Sequence, residues 1–105
     1  MALEHFGFIV SGRGLHPDEH VALMRSDSFT MTAVGVSDVE QACSAARRLV
    51  ADGVQLIELC GGFGPVGTAA VLAAIDQAVP VGSVAYGPES IDAMQRLFAS
   101  SGPAD

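Results

Sequence analysis

The chain has 105 residues, half of them hydrophobic and only 16% charged, with a formal net charge of −7 from twelve acids against five Arg and no Lys. That length makes a single domain, and the lack of clustered basic residues excludes nucleic acid and anionic membrane surfaces as partners. So apolar a composition in so small a body predicts surface covered by another subunit, a homo-oligomer and most simply a dimer.

Cys43 and Cys60 are too few for a disulfide framework. The opening Met-Ala-Leu-Glu-His lacks the basic and apolar regions of a signal peptide. No apolar run reaches the roughly 18 residues of a spanning helix. A cytoplasmic, reducing location is expected.

Glu4 to Ser11 carries Phe6, Phe8, Ile9 and Val10 and is read as a first strand, closed by the turn Gly12-Arg13-Gly14. His16 to about Arg25 is read as a short helix, with Pro17 at its first position, acids in its first turn, and Val21 and Met24 on one face. Phe29 to Val36 is rich in β-branched residues and makes a second strand. Ser37 to Asp52 is the clearest helix. Ser37 and Glu40 have the S-x-x-E spacing of a capping box. Val39, Ala42, Cys43, Ala46, Leu49 and Val50 form its apolar stripe, Arg47 and Arg48 complement its C-terminal dipole, and Gly53 stops it. Cys43 is read as a core residue of that stripe.

Val54 to Leu59 is a short apolar run bounded by glycines, read as a third strand. Alternation places Val54, Leu56, Glu58 and Cys60 on one face and Gln55, Ile57 and Leu59 on the other. The turn Gly61-Gly62-Phe63-Gly64 follows, and Pro65 suits the first position of the next helix. Pro65 to Ala78 is apolar nearly all round, which predicts burial on more than one side or a subunit contact. Pro80 to Tyr86 is a fourth strand. Pro88 to Ser100 is a last helix with Ile91, Met94, Leu97 and Phe98 facing inward, and 101–105 is a frayed tail.

The order βαβαβαβα predicts a small four-stranded parallel sheet, a flavodoxin-like open sandwich, with a half-barrel as the alternative. Ligands of such sheets bind beyond the carboxyl ends of the strands. That rule brings Ser11, Arg13, His16, Cys60, the glycine turn and Tyr86 to one edge. Cys60 lies just before a helix N-terminus, where a thiolate is stabilised, and is a candidate nucleophile or proton carrier; the alternative is a small residue filling the end of a strand. Glu58, two residues deeper in a run that is otherwise core, is a candidate general acid or base, or else a carboxylate held structurally by an Arg or a helix N-terminus. Gly61, Gly62, Phe63 and Gly64 form a turn suited to a carboxylate or one phosphate, or to close helix–strand packing. Arg13, between two glycines, suits an anion clamp as well as it suits a solvated loop.

Gly62, Gly64 and Gly67 match G-x-G-x-x-G. The match falls in the third β/α unit, Pro65 removes a donor, and Tyr86 stands where a ribose-binding acid belongs, so no dinucleotide and no other cofactor is expected. His16 and His20 have an i, i+4 spacing that can chelate a metal on a helix. With no third ligand in reach, no metal is expected.

The block Ile57-Glu58-Leu59-Cys60-Gly61-Gly62-Phe63-Gly64, with Val34-Gly35-Val36 and the helix after it, resembles a family of small bacterial α/β proteins of unknown function, over nearly the whole span from Phe6 to Phe98. The resemblance implies an α/β fold and makes Glu58, Cys60 and the glycine turn a unit; it brings no activity. Two readings stand. One is a small isomerase, lyase or hydrolase acting on an anionic metabolite through Glu58 or Cys60. The other is a non-catalytic ligand-binding or homo-oligomeric assembly module.

Overall fold

A computed structural model describes residues 2–99. They form β1 (His5–Ser11), β2 (Val21–Arg25), β3 (Thr30–Val36), α1 (Val39–Ala51), β4 (Leu56–Leu59), α2 (Gly64–Ala74), β5 (Val81–Ser83) and α3 (Ile91–Ala99). The strands make one open sheet in the order β2-β3-β1-β4-β5. β1 lies parallel between β3 and β4, β5 is parallel to β4, and β2 runs antiparallel to β3.

This corrects the expectation of four parallel strands. The fifth strand, β2, occupies the segment read as a helix from His16. Only one turn there is helix-like: the N–H groups of Glu19 and His20 both donate to the His16 carbonyl, at 3.0 and 2.9 Å. From Val21 onward the chain pairs with β3, Val21 opposite Val34 and Met24 opposite Met31. The Ser26 N–H donates to the Phe29 carbonyl at 2.8 Å and closes the hairpin. Val21 and Met24 satisfy a helical spacing, but ladder bonds to a neighbouring strand outweigh so weak a local preference.

The sheet is covered on one side. Residues in register share a face, so Ile9, Val34 and Val36 line up with Ile57 and Leu59, all buried. α1 lies on that face through Ala42, Ala45, Ala46 and Leu49, and α2 packs beside it through Val71. The three alanines let the helix axis approach the strands closely. Cys43 bridges the two helices, its thiol donating to the Ala70 carbonyl at 3.6 Å. The opposite face carries no layer of helices, which departs from a flavodoxin-like arrangement with helices on both sides.

The ends of the helices differ from the sequence reading in instructive ways. The N-cap of α1 is Asp38, whose carboxylate accepts the Gln41 N–H at 2.7 Å. Gln41 Oε1 in turn accepts the Ser37 N–H at 2.9 Å. The cap is therefore one residue later than Ser37 and Glu40, because aspartate caps as well as serine, and the glutamine reaches back past the cap to Ser37 rather than to the cap's own N–H. Of the arginine pair, Arg47 Nε donates to the Ala74 carbonyl at the end of α2, at 3.2 Å, and Arg48 pairs with Asp18 at 3.2 Å. α2 stops at Ala74 rather than Ala78, since Asp76 and Gln77 take left-handed backbone angles (φ 52° and 56°). It is buried on one face only, through Gly67 and Val71, with Val66 83% exposed. Composition overstated its burial, because small alanines fit a surface as readily as a core. The last predicted strand shortens to Val81–Ser83. No residue of α3 is buried, against the expectation that its apolar residues face inward. The predicted tail at 101–105 lies outside the described residues.

Candidate functional site

β1 and β4 are neighbours, and their carboxyl ends open a concavity of about 470 Å³. It is lined by Val10 and Ser11 from β1 and by Cys60, Gly61 and Gly62 after β4. Tyr86, Met94 and Phe98 complete the lining. The parallel pairing of β1 with β4 makes this meeting unavoidable, since both strands end at the same edge.

Local bonds hold the site. The Ser11 N–H donates to Cys60 Sγ at 3.2 Å, and the Cys60 N–H donates to the Ile9 carbonyl at 3.1 Å. The thiol is thus fixed as an acceptor across the β1–β4 gap, and it is half-buried. Residues Gly61–Phe63 form a single 3-10 turn that runs into α2, with Pro65 in the first turn of that helix as expected. Gly64 joins the two at φ 62° and ψ −177°, a conformation essentially confined to glycine. Gly61 answers a different demand. A Cβ there would stand 2.9 Å from Tyr86 Cε2 and 3.2 Å from the Val84 carbonyl oxygen. Glycine at 61 lets the phenol ring close down on the turn.

The predicted site residues divide into two groups. Ser11, Cys60, Gly61, Gly62 and Tyr86 come together in the concavity. Phe63 instead turns into the core, beneath Gly67, and Gly64 shapes the backbone without lining the space. Arg13 and His16 are exposed on the loop after β1 and do not line it. Glu58 does not line it either. The run around it was expected to be core, yet Glu58 is exposed, because its face of the sheet has no helix over it. His16 and His20 share one turn, where the His16 N–H donates to His20 Nδ1 at 2.9 Å. Among the described residues no group of three or more His, Cys, Asp or Glu side chains is placed to hold a metal.

Sequence reasoning missed Val10, Met94 and Phe98. Met94 and Phe98 were visible as an i, i+4 apolar pair, but such a pair reads as core until the fold shows that it lines a concavity at the strand ends. It also missed Gln55, whose Oε1 accepts the N–H groups of Glu4 and His5 at 2.7 and 2.9 Å and clamps the start of β1.

The sequence model of a family of unknown function (DUF6506) matches residues 4–99. The chain belongs to that family. No curated protein and no solved structure matches it. The DUF6506 match spans both the covered core and the concavity, from β1 to α3. No helix among the described residues is long and apolar enough to cross a membrane.

Proposed function

We infer that the protein binds a small metabolite at the carboxyl ends of β1 and β4. The observation that carries this reading is the mixed lining of the concavity. Val10, Met94 and Phe98 offer an apolar body, while Ser11, Cys60, Tyr86 and the turn at Gly61 offer polar contacts. Small-molecule sites have this composition, with a few convergent polar groups on an apolar wall. The first N–H groups of a helical turn have no partner within it, so Gly61 and Gly62 suit a carboxylate or a single phosphate better than a cation. The ligand class is a small metabolite with one carboxylate or phosphate group and a short apolar portion.

Binding without catalysis is favoured by the same lining. Cys60 and Tyr86 are its ionisable side chains, and a nucleophilic thiol needs a base or acid within hydrogen-bond reach. A catalytic version, an isomerase, lyase or hydrolase, assigns Cys60 the nucleophile or proton-carrier role. It requires Glu58 to reach the ligand from the neighbouring uncovered face.

A thermal-shift screen of small carboxylates and phosphate monoesters tests the reading. A compound that raises the melting temperature of the wild type, has no effect on Gly61→Val, and acts undiminished on Glu58→Gln is the expected result. Loss of the shift in Glu58→Gln with retention in Gly61→Val would move the site away from the concavity. No shift from any compound at millimolar concentration would end the proposal.

A further inference from the structure

We propose that the uncovered face of the sheet seats a second copy of this chain, sheet against sheet. A mostly parallel sheet is stable with both faces covered. Here α1 and α2 lie on the same face. The other face presents Phe6, Phe8 and Val10 of β1, flanked by Met31 and Met24 on one side and Leu56 on the other. None of these six is buried, and Met24 is 67% exposed. Glu58 is the one charged strand residue in register with them, and Glu19 borders them from the loop before β2, where Leu15 and His20 close over Gly35; most of the twelve acids lie off this face.

α3 extends the same apolar ground. Its Met94 and Phe98 line the concavity at the ends of β1 and β4. Ile91, Leu97 and Phe98 nonetheless remain 62%, 60% and 63% exposed. A short amphipathic helix with its apolar stripe in water has little reason to stay helical alone.

The size fits a weak dimer. With strands about 4.8 Å apart and about 3.3 Å per residue, the five strands give a footprint of roughly 400 Å². α3, about 13 Å long and about 10 Å wide, adds roughly 130 Å². Together these are roughly 530 Å² per partner, about 1,060 Å² for the pair, which just clears the roughly 1,000 Å² expected of a biological interface. The area per partner lies toward the upper end of the roughly 300–600 Å² of an ordinary monomer's largest apolar patch, which is itself often a functional surface. α2, the helix whose composition first suggested a subunit contact, offers less. Its outward side is Pro65, Val66, Ala69 and Ala73, small residues with little area to bury.

Sedimentation equilibrium of the full chain between about 1 and 100 µM, with circular dichroism as the folding check, tests this without reference to the metabolite proposal. The expected wild type is a dimer, twice the 10.7 kDa chain mass. Phe8→Glu and Met24→Glu should each give a folded monomer. Val66→Glu on α2 should remain a dimer. Met24 lies on an exposed edge strand, so its variant stays informative if Phe8→Glu fails to fold. A wild-type monomer at 100 µM overturns the proposal. So does a dimer that survives Met24→Glu with circular dichroism intact, or one that Val66→Glu dissociates.

Discussion

The two faces of the sheet are built from adjacent residues of the same strands, yet they lead different lives. On β1, Gly7 and Ile9 point to the helices and are buried; Phe6, Phe8 and Val10 point away and are not. On β4, Ile57 and Leu59 are buried while Glu58 is exposed. Both faces are apolar, so hydrophobicity does not separate them. What separates them is the supply of helices: both long crossovers, α1 and α2, fall on one side. An apolar run in a strand therefore reports only that both of its faces seek cover. It does not say whether the cover comes from the same chain.

Substitutions that treat neighbours differently test this contrast. The largest effect is expected from Ile9→Ala, which leaves a cavity under α1 and should cost about 2–5 kcal/mol in urea unfolding. That cost should be independent of protein concentration. Phe8→Ala, one residue away, should cost only about 1 kcal/mol in dilute protein, with a penalty that grows as concentration rises and the wild type gains its partner. Equal, concentration-independent losses at both positions would erase the distinction between the faces.

Gly64→Ala sharpens the same comparison from the side of the turn. Its backbone angles penalise any Cβ by about 1–3 kcal/mol, and the loss should appear as a lower melting temperature. Gln55→Ala should cost about 1–2 kcal/mol, because the N–H groups of Glu4 and His5, at the entry to β1, lose their shared acceptor. Amide exchange should show those protons at Glu4 and His5 opening first. Smallest of all is the exposed Arg48–Asp18 pair. A double-mutant cycle should give a coupling of about 0.5 kcal/mol or less, falling further in high salt. A coupling several times larger would make the loop before β2 a fixed part of the covered side.

Much of the framework was legible beforehand. The first strand, the helix after β3, the strand at Ile57 and the glycine turn all fall where periodicity and stop signals put them. Ser11, Cys60, Gly61, Gly62 and Tyr86 meet at one edge for the reason foreseen, that parallel strands end together. The misreadings have a common cause. Val21 and Met24 fit helix spacing, but five residues hold too little local preference to resist an available strand edge. Glu58 looked buried because its neighbours in sequence are buried, and alternation alone does not tell which face is covered. Phe63 looked like part of a ligand turn until the close approach of Gly67 drew it inward.

By itself, the order of residues determined the helical and extended periods, the caps, the glycine bend before α2 and the apolar character of both faces of each strand, because these follow from steric and hydrogen-bonding rules acting over a few positions. Only the tertiary structure decided that β2 joins the sheet backwards, that α1 and α2 share one side, and that α3 shares a concavity with the ends of β1 and β4. Those outcomes depend on contacts between segments tens of residues apart, where the competing arrangements bury similar amounts of surface and no local signal chooses between them.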